Sequence, residues 1–176
     1  MVKSGKKCKK NSNFEYLIKR QKMQPLNGTY YCKMDSKGRI MLPAELRKQL
    51  SDLQMDSFVL KRAVFHNNLE MHPKNEWSKL MEKLNKLNRF KKKNIDFLTR
   101  FLAGVRNVNI DGTGRLQIPK DLVAVAGLKK EVVIASSINI LQIWDKDAYE
   151  QFLQASVEDF SDLAEEVMGD IDFDNE

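Results

Sequence analysis

Two arginines stand beside glycine turns in a nine-residue phrase that the chain contains twice. Residues 35–43 read D-x-x-G-R-x-x-L-P, and residues 111–119, at an offset of 76, read D-x-x-G-R-x-x-I-P. The arginine is Arg39 in the first copy and Arg115 in the second. A guanidinium is a planar fork that can bind two acceptors of a guanine base or bridge a phosphate. Both arginines are therefore candidates for contact with a nucleic acid.

The other shared polar positions of the phrase predict a braced turn. Each glycine, Gly38 or Gly114, stands where a tight turn commonly needs a positive φ. The aspartates, Asp35 and Asp111, precede their arginines by four residues. We predict that these aspartates and glycines fix the turns while the arginines present donors outward. The alternative is that each aspartate–arginine pair serves only to brace its turn.

Further basic residues distinguish the first copy from the second. Lys37 lies in the first turn and Arg47 on the helix that should follow, whereas the second copy has Thr113 and Val123 at these places. The sequence therefore predicts that the first loop dominates binding. The residues predicted to contact nucleic acid are Lys37, Arg39, Arg115 and Arg47.

Each phrase belongs to a longer repeat unit with the same order of elements. A short strand enters the turn, a second short strand leaves it, and a proline marks the start of a short helix. Two more strands and a last helix follow in each unit. Four short strands are too few to bury a core alone, so the two units should pack on each other or interleave strands. The predicted fold class is mixed β/α, mainly β with short helices, in which duplicated units share one core.

Composition changes along the chain suggest five segments. They are a basic, disordered extension (residues 1–25), repeat 1 (26–80), a helical linker (81–104), repeat 2 (105–155) and an acidic C-terminal tail (156–176). In the tail, Phe160, Leu163, Ala164 and Val167 could line one face of a helix. Such a helix could dock on a basic surface, but a frayed, solubilising tail is the simpler interpretation.

The charge of the chain is strongly segregated. The net charge is +6, residues 1–22 carry eight basic and one acidic residue, and residues 157–176 carry nine acidic and no basic residues. The stretch between them therefore has a net charge of +8. A basic body favours an anionic partner such as nucleic acid, although a solvated charged surface would look the same.

No residue pattern suggests catalysis, a metal site, a cofactor or a small-molecule substrate. His66 and His72 have no zinc-ligand spacing around them and are predicted to be surface residues, and Glu70 has no partner for acid–base work. No apolar run is long enough to span a membrane. The cysteines, Cys8 and Cys32, suggest a reducing compartment, so we expect a cytoplasmic protein that is not an enzyme.

At these residues the chain resembles the MraZ family of bacterial transcriptional regulators. The doubled phrase carries the resemblance, together with L-E-M-x-P-x-x-E-W after the first copy and I-W-D after the second, over about residues 26–155. The resemblance implies two SpoVT-AbrB-like swapped-hairpin units in a ring-shaped homo-oligomer. It also implies binding to direct repeats in double-stranded promoter DNA at the nucleoid, usually as a repressor of the protein's own division and cell-wall operon. The family's D-x-x-x-R signature falls on Asp35/Arg39 and on Asp111/Arg115.

One alternative function also fits the sequence. A non-enzymatic, oligomeric interaction scaffold could use its apolar helices as its interface. A preference for the chain's own promoter over scrambled DNA would separate the regulator from such a scaffold.

Overall fold

The computed structural model describes residues 25–169, without residues 54, 56, 155 and 156. Within these residues lie eight strands and six helices. The strands are β1 (Thr29–Lys33), β2 (Arg39–Met41), β3 (Ser57–Arg62), β4 (Leu69–Pro73), β5 (Arg106–Asn109), β6 (Arg115–Gln117), β7 (Glu131–Ser137) and β8 (Ile140–Asp145). The helices are α1 (Ala44–Asp52), α2 (Lys74–Leu84), α3 (Lys92–Leu102), α4 (Lys120–Val125), α5 (Lys146–Gln154) and α6 (Val157–Gly169).

The strands form a six-stranded antiparallel sheet and a two-stranded ribbon. The sheet has the order β1-β7-β8-β4-β3-β5, and the ribbon pairs β2 with β6. The first strand of each repeat pairs with a strand of the other repeat, β1 with β7 and β5 with β3. The units therefore interleave strands rather than only packing face to face. The predicted class, duplicated units that share one core, is confirmed.

The core is built from equivalent positions of the two repeats. Six aliphatic side chains on the ribbon and the helices that follow it are at most 1 % exposed: Ile40, Leu42, Leu46, Leu116, Ile118 and Leu122. The last three follow the first three by 76 residues. Each buried side chain of this size contributes about 1.5–3 kcal/mol to folding. Since both repeats point the same residues inward, their loops are held in equivalent positions.

Prolines and a glycine mark the ends of the two short helices. Pro43 and Pro119 stand directly before α1 and α4, with φ of −56° and −59°, one residue earlier than the first helical position predicted from sequence. Proline suits this place because its φ is already near that of a helix and its missing N–H would have no helical partner. Gly127, with φ of 62°, follows α4 just beyond its C-terminal end, a common place for a glycine with positive φ.

The predicted terminal segments are only partly described. Of the predicted extension, residues 1–24 lie outside the described residues, as do residues 170–176 of the acidic tail. The remainder of that tail contains α6, so a frayed coil does not describe it. The predicted helical linker contains the end of α2 and all of α3.

Candidate nucleic-acid interface

The first loop is braced by a carboxylate that also holds the arginine. Oδ1 of Asp35 accepts hydrogen bonds from the backbone N–H groups of Lys37, at 2.9 Å, and Arg39, at 3.0 Å. Oδ2 accepts from Nε of Arg39 at 2.7 Å and lies 2.7 Å from Nη2. Gly38 has φ of 79° and donates its N–H to the carbonyl of Asp35. The aspartate thus fixes both the turn and the guanidinium.

The second loop has the same backbone and a different side-chain arrangement. Oδ1 of Asp111 accepts from the backbone N–H groups of Thr113 and Arg115, both at 2.9 Å, and from the Thr113 hydroxyl at 2.6 Å. Gly114 has φ of 83°. Among the described residues, the buried Nε of Arg115 has no hydrogen-bond partner. The second aspartate therefore braces its turn without holding the guanidinium.

The hydrogen bonds keep both aspartates ionised. The Arg39 backbone N–H and then its guanidinium lower the pKa of Asp35 to about 2. The Thr113 hydroxyl and then the Arg115 backbone N–H lower the pKa of Asp111. Hydrogen bonds to a carboxylate favour its charged form, so neither turn titrates near neutral pH.

The two loops are tied together across the repeats. Leu42 donates its N–H to the carbonyl of Gly114 at 3.0 Å, and Ile118 donates to the carbonyl of Gly38 at 2.8 Å. A Cβ atom added to Gly114 would lie 2.5 Å from Cδ of Arg47. Each glycine turn therefore packs against the other repeat rather than against the helix that follows it in sequence.

Because each glycine turn packs against the other repeat, the basic residues lie beside different loops from those that the sequence suggested. Arg47 lies against the second loop, and Val123, its equivalent 76 residues later, lies 3.8 Å from a Cβ built on the glycine of the first. The first loop thus carries Lys37 and Arg39, while the second has Arg115 with Arg47 beside it. Arg47 adds its charge to the second loop and not, as its position in the sequence suggested, to the first. The expected dominance of the first loop loses this support.

The two arginines share the outer face of the β2–β6 ribbon. Ile40 and Leu116 pair with each other at the centre of the ribbon and are 0 % exposed. Side chains alternate between the two faces of a strand, so the flanking residues point to the other face. They are Arg39 paired with Gln117, and Met41 paired with Arg115. The arginines are therefore two residues, or about 7 Å, apart along the ribbon.

Gln117 links this face to the first loop. Its Nε2 donates a hydrogen bond to the carbonyl of Lys37 at 2.7 Å, 80 residues earlier in the chain. Lys37 itself is exposed. The structure thus brings three of the predicted contact residues, Lys37, Arg39 and Arg115, to one ribbon with its loops, and places the fourth, Arg47, against the second loop.

Comparison with known proteins shows the family of the chain. The family model described as "MraZ protein, putative antitoxin-like" matches residues 26–100 and 101–171. The chain belongs to the MraZ family. A transcriptional regulator MraZ from Christiangramia forsetii is 61% identical over 149 residues, which are 85% of this chain and 96% of the relative. Proteins of the same name from Flavobacterium psychrophilum (56% identical; 86% and 97% covered) and Oenococcus oeni (41%; 80% and 94%) are also similar.

A buried polar cluster in this MraZ-family chain was missed from sequence. Nζ of Lys61, a residue that is 1% exposed, lies 2.8 Å from Oε2 of Glu70, and Nε2 of His72 lies 3.0 Å from the same oxygen. Burial raises the pKa of Glu70, but the hydrogen bonds from His72 and Lys61 outweigh it, so the net shift is downward. The expectation that His72 is a surface residue is wrong, because this side chain is buried, and Glu70 lies between two basic partners. For the exposed His66 the surface expectation is confirmed.

The register of one hairpin accounts for this cluster. Lys61 and Glu70 are direct partners in the β3–β4 ladder, and His72 lies two residues further on the same face. Nζ of Lys61 lies 4.5 Å from the ring centroid of Phe101, which stacks on Trp77 at 6.2 Å. The sequence did contain a signal for this pair. Lys61 and Glu70 have opposite charges and lie equally far, in residues, from the centre of the turn that joins β3 and β4. We interpret the cluster as a structural link between the sheet and helices α2 and α3.

Two further findings concern the described ranges only. Residues 25–53, 55, 57–154 and 157–169 contain no group of three or more His, Cys, Asp or Glu side chains that could hold a metal ion. Over the same residues, every helix is too short or too polar to cross a membrane.

Proposed function

We propose that this chain is a sequence-specific DNA-binding transcriptional regulator that reads DNA with the outer face of the β2–β6 ribbon. The observation that carries the proposal is the placement of Arg39 and Arg115 on one face of a two-stranded ribbon. The major groove of B-DNA is about 12 Å wide and admits such a ribbon. The names of the relatives, transcriptional regulators, support the same function.

The side chains divide into two roles. Arg39 and Arg115 read bases, because an arginine can donate two hydrogen bonds to O6 and N7 of guanine, with about 1–3 kcal/mol of discrimination. Lys37 and Arg47, at the edges of the ribbon, contact phosphates, which orient the protein on the duplex without reading sequence.

The bond between Asp35 and Arg39 prepares the first arginine for this role. The carboxylate binds Nε and Nη2, which leaves the Nη1 donors for a base or phosphate. A side chain that is already held loses less conformational entropy on binding. Arg39 therefore acts as the preorganised reader and Arg115 as the adaptable one.

Assembly supplies the affinity that one ribbon lacks. The chains form a ring-shaped homo-oligomer whose ribbons bind successive direct repeats in one promoter, so several weak contacts act together. The target is the promoter of the protein's own division and cell-wall operon, and the effect is repression. The protein accordingly works at the nucleoid in the cytoplasm.

An electrophoretic shift assay tests the proposal. The full chain should retain its own promoter fragment at concentrations that leave a scrambled fragment of equal length free. Binding should weaken with salt, with a log–log slope of about −0.9 for each phosphate neutralised. The control is Arg89→Ala, which removes an arginine between α2 and α3 and should leave binding unchanged. Equal retention of both fragments, or of neither, would contradict the proposal.

A further inference from the structure

Helix α6 carries an uncovered apolar face. Phe160, Leu163 and Val167 are 64%, 53% and 53% exposed. They follow the spacing i, i+3, i+7, which places them on one side of a helix. Residues 157–169 contain five acidic residues and no basic one. An acidic helix with one apolar side is complementary to an apolar surface edged by positive charge.

A groove of about 730 Å³ elsewhere on the chain offers such a surface. It lies between the β3–β4 loop and α3, and its apolar lining includes Phe65, Phe97 and Val125. These three side chains are 88%, 42% and 50% exposed. The groove is thus open and contains exposed apolar side chains that no other described part of the chain covers.

The charges around the groove are complementary to those of α6. Arg62, Lys93 and Arg100 line it, against one acidic residue, Asp96. In the described part of the chain none of the three basic side chains is in an ion pair. We propose that α6 of one copy docks in this groove of a second copy. The apolar face of the helix enters the groove, and its acidic residues meet the basic edge.

The two surfaces differ from each other, so this contact is heterologous. Each copy gives its α6 to one neighbour and accepts the α6 of another, an arrangement that closes into a ring when the rotation between copies allows it. In the structure, no described residue of the chain's own α6 lines the groove. The inference deepens the ring assembly proposed above and rests on it, whereas DNA contact through the ribbon does not depend on it.

The test uses single substitutions in the full chain, followed by sedimentation velocity and native mass spectrometry. Leu163→Asp removes the donor surface, and Phe65→Asp removes the acceptor surface. Each should shift the oligomer to the 20.4 kDa monomer while circular dichroism stays unchanged. The matched control is Phe90→Asp, since Phe90 is 100% exposed and does not line the groove. Should Leu163→Asp alter the spectrum, Val167→Asp takes its place.

Mixing the two variants identifies whose helix enters the groove. Leu163→Asp chains keep an intact groove and Phe65→Asp chains keep an intact α6, so an equimolar mixture should form a heterodimer of twice the monomer mass. Absence of that heterodimer, as expected if α6 folds back on its own chain, would overturn the inference. Oligomers that resist both substitutions would overturn it while leaving the ring intact. A wild-type chain that stays monomeric at every concentration would overturn the ring itself, and the inference with it.

Discussion

The two arginine loops have the same backbone and differ in what holds the arginine. In both, an aspartate accepts two backbone N–H groups and a glycine adopts a positive φ. Only Asp35 also binds the guanidinium, whereas Thr113 donates to the second carboxylate and the Nε of Arg115 stays unpaired among the described residues. The role that the two aspartates share is therefore to brace the turn. Holding the arginine is an addition to the first loop.

The two loops also acquire their second positive charge in different ways. The first loop has Lys37 within the turn, and the second has Arg47 from the helix of the other repeat. Two loops that look unequal in sequence therefore each combine one motif arginine with one further cation.

The largest expected difference between the loops concerns their glycines. A Cβ on Gly38 would lie 2.8 Å from the carbonyl oxygen of Ile118, which is backbone, whereas a Cβ on Gly114 would meet the flexible side chain of Arg47. Both substitutions to alanine also incur the strain of a positive φ, about 1–2 kcal/mol. Urea unfolding should show a loss of about 2–4 kcal/mol for Gly38→Ala and about 1–2 kcal/mol for Gly114→Ala. If the two variants lose equal free energies of unfolding, both turns accommodate the added Cβ atom equally well.

Because Arg47 packs against the second loop, it should assist Arg115 rather than Arg39. Arg47→Val copies the residue at the equivalent position and should reduce the salt slope of DNA binding by about 0.9. Fluorescence anisotropy of double variants then locates the effect. Arg47→Val with Arg115→Ala should deviate from additivity by about 0.5 kcal/mol or more, while Arg47→Val with Arg39→Ala should be additive. Coupling to Arg39 alone would place Arg47 functionally at the first loop.

Lys37→Thr gives the first turn the residue that the second turn has at the equivalent position. The salt slope should again fall by about 0.9, because one phosphate contact is lost. The new hydroxyl can donate to Asp35, as that of Thr113 donates to Asp111. Circular dichroism and oligomer mass should stay unchanged. A loss of promoter preference at constant salt slope would instead make Lys37 a reader of bases.

The smallest expected effect is the acid titration of the two turns. Carbon-detected NMR should place the pKa of Asp35 at about 2 and that of Asp111 below its ordinary value of 3.8. A pKa lowered by folding means that the carboxylate stabilises the fold above its unfolded pKa and loses this effect as the pH falls through its folded pKa. Titration of these two carboxyl groups should therefore not change the free energy of unfolding between pH 5 and 8. Titration of Asp35 near 3.8 would show that its bond to Arg39 does not persist in solution.

The sequence predicted the features that depend on neighbouring residues. The glycine turns follow from φ requirements, the short strands from runs of apolar residues, and the shared core from the small size of each unit. The same local pattern predicts a bracing role for Asp35 and Asp111, and each carboxylate accepts hydrogen bonds from the N–H groups two and four residues ahead.

Features that depend on distant pairings were not predictable in this way. The same apolar residues would be buried whether the repeats pack on each other or interleave their strands. Composition therefore could not show that β2 pairs with β6, or that Arg47 lies against the second loop. The pairing of Lys61 with Glu70 needs the register of one hairpin, and a shift of that register by one residue would place the two side chains on opposite faces of the sheet. Proximity in sequence was therefore a poor guide to which charges act together.

The most direct test of DNA reading by the β2–β6 ribbon is promoter binding by Arg39→Ala, Arg115→Ala and the double variant. Each single substitution should weaken binding to the chain's own promoter by roughly 5- to 150-fold, the equivalent of about 1–3 kcal/mol, and the double variant by more. Circular dichroism and oligomer mass should match those of the wild type. If the folded double variant binds its promoter as tightly and as selectively as the wild type, the β2–β6 ribbon is not the surface that reads DNA.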